Sequence, residues 1–380
     1  MTRRQWLAAG AATLALPRTG RAAPTAPVAV ARCNSYGREL TPVLRRMFDQ
    51  LGGLGGMVRG KTVGVKVNMT GTPTQRVRYV PAENSYWTHP ALIGSLVHLL
   101  GEAGARRVLI LEGFAAGAEP LEEEMLAAGW EPRDILNAAP RVEMENTGFL
   151  GYGKRYARLM VNGKGYIYPG FDLNHSYADC DFFISLAKLK EHATAGVTLS
   201  MKNLFGIAPP TIYGDGAGEM DPAPVPHGGR QMFHSGYRQP SRSAPPEIDP
   251  ASSRESGYRV PRIVVDLVAS RPIDLALIDG IETMTGGEGP WLANMQARSL
   301  RIISPGILVA GRNPVTTDAV SMKLMGFNSM ATRGAPPFEH CDSTLALAEA
   351  KGLGTRDPRR IEVIGPPLDD LTVNFRAVSG

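Results

Sequence analysis

The residues best suited to chemistry lie in one stretch, Asp181 to Gly206, which reads DFFISLAKLKEHATAGVTLSMKNLFG. Along an extended chain Lys188, Lys190 and His192 alternate, so they project from one side. Ammonium groups beside an imidazole can hold a carboxylate or phosphate and move a proton, histidine being the side chain that titrates nearest neutrality. His192 and Lys190 are therefore the candidate catalytic pair. Lys188, Lys202 and Asn203 are candidate substrate-binding groups from the same stretch, joined by Asn68 and His89 from earlier loops. The plainer alternative is that lysines leaving a strand are simply solvated. A second set is acidic. Asp279 and Glu288 in the loop DGIETMTGGEGP, with Asp318 from a later helix, are hard oxygen ligands that would suit Mg²⁺ or Ca²⁺. A divalent metal is thus the cofactor this set would accept, although no EF-hand or His-Glu-x-x-His spacing accompanies it. Glu282 reads more simply as a cap, and Asp318 as a complement to a helix dipole.

These groups need elements to position them. Phe182, Phe183, Ile184 and Leu186 form a continuous apolar run, the pattern of a strand covered on both faces. Thr194 is the expected N-cap of a following helix striped by Val197, Met201 and Leu204 and ended by Gly206. Further strands are expected at Val28–Arg32, Thr62–Asn68, Arg107–Glu112, Ile273–Ile278, Gly306–Ala310 and Arg360–Ile364. Helices are expected over 38–51, 91–102, 119–128, 263–269, from Asn313-Pro314 onward, and over 343–351. Hairpin signals surround Asn162-Gly163. Strands alternating with helices specify an α/β fold, a mostly parallel sheet with helices on both faces. Residues 208–261, dense in Pro, Gly, Ser and Arg, read as a long insertion placed to act as a lid, carrying His227 and His234. In a parallel sheet Asn68, Glu112, the Lys188–His192 cluster and the acidic loop all leave the same edge, where open α/β sheets bind ligands.

The motifs LAKLKEH and GVTLSMKNLFG resemble the signature of the domain-of-unknown-function family 362. So do VGVKVNMTG at 63–71, THP at 88–90, LILEG at 109–113, LALIDGIETMTGGEGP at 275–290 and VAGRNPVTTDAV at 309–320, in the expected order. The resemblance covers about 60 to 355 and implies that these residues matter without assigning them a reaction. Many members of that family carry cysteine motifs for iron–sulfur clusters, which this chain lacks.

The chain has 380 residues and a net charge of +5, but residues 1–22 hold four arginines and no acid, leaving +1 for the rest. That near-neutral remainder gives no support for nucleic-acid binding. Thr2-Arg3-Arg4-Gln5-Trp6-Leu7, a short apolar stretch and small residues at Gly20 and Ala22 resemble a twin-arginine export signal over 1–22. The expectation is a leader, a linker and first strand over 23–37, and an α/β domain over 38–370 with insertion 208–261. Periplasmic or otherwise extracytoplasmic location follows, with the export machinery as a partner. No run approaches a membrane span. Cys33, Cys180 and Cys341 are scattered, so an iron–sulfur cluster is not expected and one disulfide is compatible with an oxidising compartment. No G-x-S-x-G elbow, P-loop or dinucleotide fingerprint is present. Two functions fit: an enzyme acting on an anionic small molecule, or a non-catalytic exported protein that binds a ligand or assists a redox complex.

Overall fold

The computed structural model describes residues 23–114, 119–150, 155–215, 229–292 and 300–376. The leader and His227 lie outside them. Fourteen strands are found among the described residues: β1 Val28–Arg32, β2 Thr62–Lys66, β3 Arg107–Glu112, β4 Val142–Asn146, β5 Ala157–Met160, β6 Gly170–Leu173, β7 Phe182–Lys188, β8 Glu191–His192, β9 Gly196–Val197, β10 Leu275–Gly280, β11 Thr283–Thr285, β12 Arg301–Ile303, β13 Ile307–Gly311 and β14 Val363–Ile364. Eight of them build one sheet in the order β14-β1-β13-β10-β7-β2-β3-β4. Every neighbouring pair is parallel except the two made by β13, which runs against both β1 and β10. The remaining strands form two-stranded antiparallel ribbons.

The side-chain period of two explains why the central strands read as unbroken apolar runs. In β7, Phe182, Ile184 and Leu186 face one core with Val63, Val65, Leu275 and Leu277. Helices Leu40–Gln50 and Pro90–Glu102 cover that face with Leu44, Met47, Leu92 and Leu96. Phe183 and Ala187 face the opposite core with Leu109, Leu111, Ala276 and Ile278. That side is covered by helices Ser256–Ser270 and Pro314–Leu324, through Val260, Val264, Val315 and Ala319. The expected α/β architecture is what forms.

The local differences have identifiable causes. Helix Ser256–Ser270 begins seven residues before the expected 263 and runs through Pro261. Proline denies an N–H to the carbonyl four residues back, and that carbonyl, Gly257 O, instead accepts from Asp342 N at 2.9 Å. The insertion expected to run to 261 therefore ends sooner. Thr194 caps nothing. The chain first turns through the β8–β9 hairpin, with Gly196 at φ +74°, before the short helix Leu199–Asn203 begins from Thr198. Gly206 does not end that helix but lies inside the 3₁₀ turn Leu204–Ile207 that continues it. The region 140–180 splits: β4 extends the main sheet in parallel, while β5 and β6 form the antiparallel hairpin signalled at Asn162-Gly163. Cys33, Cys180 and Cys341 are buried free thiols, so none of the three is in a disulfide.

Candidate functional site

A cavity of about 560 Å³ opens at the carboxyl ends of β2, β3 and β7. Its position follows from chain order. The chain leaves β2 toward β3 and β4 on one side, then returns as β7 on the other, so β2 and β7 flank a switch point where no connection blocks the sheet edge.

The floor is a network of buried polar groups. Lys66, the one charged residue in an apolar strand, places Nζ 2.5 Å from Glu112 Oε1, both side chains being almost wholly buried. The same Nζ donates to Val67 O at 2.6 Å and Asn203 Oδ1 at 3.3 Å. Asn203 Nδ2 donates to Lys66 O and Ser185 Oγ, which fixes the orientation of its amide. Asn68 Nδ2 then donates to Asn203 Oδ1 at 3.0 Å. Glu112 also accepts from Met69 N and Gly113 N, so its charge is met by a cation and two amides. Gly113 and Gly206 permit this crowding. A Cβ on Gly113 would lie 2.4 Å from Gly206 O, and one on Gly206 would lie 2.9 Å from Lys66 Nζ. Arg230 ties the layers together by donating to Gly113 O, Gly206 O and Ala208 O.

One wall carries a carboxylate–imidazole pair. His192 Nδ1 lies 2.9 Å from Glu288 Oε2, with side-chain exposures of 9% and 13%. Thr194 N–H is also directed at Nδ1, at 3.2 Å, and would favour Nδ1 as an acceptor, but a neutral amide is outweighed by the charged, closer carboxylate. The carboxylate decides the tautomer, because an unprotonated Nδ1 would set lone pair against lone pair. Nδ1 therefore carries the proton and Nε2 keeps an acceptor lone pair. Burial holds the imidazole down to about 4, against the pull of Glu288 and with the push of Lys202, so it is neutral at neutral pH. Burial raises the Glu288 carboxyl, but His192, Lys202 and the Ala193 N–H outweigh it and keep the group ionised. Trp291 Nε1 donates to its other oxygen at 3.3 Å.

The cations differ in freedom. Lys190 Nζ donates to the carbonyls of Tyr86 and Glu288, and burial draws it down to about 7. Lys202 Nζ lies over the Phe205 ring, 4.1 Å from its centroid. Burial lowers it to about 8, with Glu288 opposing and Arg230 and Lys66 reinforcing. His234, from the insertion, meets the edge of the same Phe205 ring and is held at about 4, first by burial and then by Lys202 and His192. Lys66, Lys190, Lys202 and Arg230 thus face two carboxylates, Glu112 and Glu288, with both histidines neutral. The cavity is net positive.

The expected site residues divide accordingly. Lys190, His192, Lys202, Asn203, Asn68 and Glu288 line this cavity. Lys188 does not. It makes a fully buried ion pair with Asp279 at 3.0 Å and donates to Tyr36 Oη and Glu83 O. Asp279 is further occupied by the Tyr36 hydroxyl and His89 N. His89 stacks on Tyr36 at 3.6 Å and caps helix Pro90–Glu102 by accepting from Ala91 N. Glu282 accepts from Asn84 Nδ2. Asp318 accepts from Ser200 N, Ser200 Oγ and Met201 N. Asp279, Glu288 and Asp318 are therefore each held by different partners and do not form one coordination sphere. Among the described residues no group of three or more His, Cys, Asp or Glu is placed to hold a metal. Asp318 complements a helix N-terminus, but that of Leu199–Asn203 and not of its own helix.

Lys66, Arg230, His234 and Trp291 were not among the expected site residues. A lysine inside an apolar strand was a readable signal for the first. Arg230 and His234 arrive from a segment with no periodicity, and Trp291 carried no cue.

A family profile described as "Domain of unknown function (DUF362)" matches residues 63–323. A thylakoid-associated protein of Synechocystis sp. is 28% identical over 192 residues, which is 48% of this chain and 50% of that protein. The chain thus spans about half the length of that curated relative. The lactate racemase apoprotein of Thermoanaerobacterium thermosaccharolyticum is a structural neighbour at 16% identity and a TM-score of 0.33, over 66% of this chain and 50% of that one. A likeness of that size does not extend to function.

Proposed function

We propose, from the premise that the chain belongs to the domain-of-unknown-function family 362, that this member is an enzyme acting on an anionic small molecule by general-base catalysis. The observation that carries this reading is the Glu288–His192 pair set into a net-positive cavity. Lys202 is the cation available to a carboxylate or phosphate, since its ammonium rests on a ring and not on an acceptor. His192 Nε2 takes a proton from the bound molecule. The imidazolium that results is stabilised by Glu288, which already holds Nδ1–H and so fixes the ring's orientation. The cavity volume lies in the range of small-molecule sites. Lys190 and Asn203 shape the wall and floor.

The test is a panel of small carboxylates and phosphates incubated in D₂O and followed by proton NMR for exchange or turnover. A substrate should emerge whose conversion falls roughly 10²- to 10⁴-fold in His192→Gln, the usual contribution of a positioned general base. Its acid limb should lie near 4, the value at which burial holds His192. Anions that bind wild type and His192→Gln equally, with no turnover in either, would return the non-catalytic reading.

Export belongs to the same proposal and is supported by the Arg3-Arg4 motif. Cell fractionation of an Arg3→Lys/Arg4→Lys variant should find the protein retained inside. Equal export would remove the twin-arginine machinery from its partners.

A further inference from the structure

The helix that delivers Lys202 and Asn203 to the cavity starts from an unusual backbone. Leu199 has φ +43°, a left-handed conformation that a side chain with a Cβ rarely adopts, and its side chain is fully buried. A five-residue helix has too few internal hydrogen bonds to hold such a start. The support comes from a different element. Asp318, one turn inside helix Pro314–Leu324 and 1% exposed, accepts from the two amides that follow Leu199, Ser200 N at 2.9 Å and Met201 N at 3.0 Å. It also accepts the Ser200 hydroxyl at 2.6 Å. Ser200 O in turn accepts from Ser185 Oγ on β7, and Ser185 Oγ accepts from Asn203 Nδ2. The chain of contacts runs without a break from Asp318 to the cavity floor.

A carboxylate suits this place better than its burial would suggest. Three donors converge on it, and only an ionised carboxylate is acceptor at every lone pair. Asparagine, with its oxygen kept toward Ser200, would turn its amide N–H toward the Met201 N–H, donor against donor. We propose that Asp318 is a positioning residue for the anion site: by holding the left-handed turn at Leu199 it aims Lys202 and Asn203 into the cavity. The proposal rests on the reading of that cavity as an anion site, and its test separates the two.

The full chain is compared with Asp318→Asn and with the milder Ser200→Ala, which removes the hydroxyl donor alone. Acetate and sulfate affinities are measured by calorimetry, unfolding by circular dichroism, and the Lys202 side chain by NMR of ¹³C-labelled lysine. Asp318→Asn should weaken both anions at least tenfold, and Ser200→Ala about threefold, in samples that remain folded. The Lys202 signal should move in both variants while the His192 ¹⁵N pattern stays in place. If the variants lose only thermal stability, with anion affinity and the Lys202 signal unchanged in the folded protein, the positioning role is overturned. If wild type binds neither anion, the reading of the cavity falls. The Lys202 signal still decides the proposal then, since its movement or constancy in folded Ser200→Ala does not depend on a ligand.

Discussion

Lys202→Met isolates a cavity cation that, among the described residues, rests on an aromatic ring and donates no hydrogen bond to a protein acceptor. The substitution keeps an unbranched side chain over the Phe205 ring and removes the ammonium. A hydrogen bond to a charged group contributes about 1.5–3 kcal/mol, so anion affinity should fall roughly ten- to hundredfold. The pH dependence supplies a second reading of the same group. Burial has brought Lys202 down from 10.5 to about 8, so its charge is present below 8 and lost above it. Affinity in wild type should therefore decline above pH 8 by up to tenfold per unit once the free protein is deprotonated, beyond a shallower change near 7 where Lys190 titrates. A bound anion raises the lysine again, so the loss begins at the value of the free protein and ends at that of the complex. Calorimetry with acetate and sulfate, which stay ionised from pH 6 to 10, is the assay. In Lys202→Met the decline near 8 should vanish along with the affinity. Wild-type affinity flat to pH 10, or a variant that binds as tightly as wild type, would refute the assignment.

Glu288→Gln should leave the protein folded yet release the His192 tautomer, so that ¹⁵N NMR shows a mixture of Nδ1–H and Nε2–H in place of one form. A single unchanged tautomer would separate the two residues functionally. Acid should destabilise the protein between pH 7 and 5. His89, His192 and His234 are each held near 4 against an ordinary 6.5, first by burial, so over this window the unfolded chain binds protons the folded one refuses. Each costs about 2 kcal/mol by pH 5. Burial raises Asp318 to about 7 and Asp266 to about 6, so protonation there works in the opposite direction and recovers about 2 and about 1 kcal/mol. The net loss, roughly 2–3 kcal/mol, should appear as a lower urea midpoint at pH 5, reduced in His234→Gln; a higher midpoint would reverse the sign. Gly113→Ala should cost about 1–3 kcal/mol and abolish anion binding, because its Cβ meets the backbone oxygen of Gly206 and not a movable side chain. A stable variant with unaltered affinity would show that the strand end can shift.

What could be read from the sequence tracks what is local. β2, β3 and β7 were legible because strands buried on both faces must be apolar at every position. The edge at which Asn68, Glu112 and His192 meet was legible because parallel strands end together. The β8–β9 hairpin was not, since two-residue strands leave no pattern, and the helix stripe expected from Thr194 was drawn across it. Pro261 concealed the first turns of its helix because the compensating donor, Asp342 N, lies far along the chain. The acidic residues show the same limit in chemistry. Asp279 and Asp318 look like ligands in a sequence, which displays charge but not pairing. Lys188 and three donors around Ser200 give them their actual partners.

The Lys188–Asp279 pair has a consequence for assembly. The two residues stand directly opposite each other on neighbouring strands β7 and β10, with no exposure to solvent. Central strands made of Val, Ile and Leu are nearly interchangeable as apolar surfaces, and a slipped or exchanged pairing would bury almost as much area. A slip of one residue here would strand an ammonium and a carboxylate in separate apolar cores, at about 3–5 kcal/mol for a broken buried pair. The pair thus makes the native register of β7 against β10 the one in which neither charge is left unpaired.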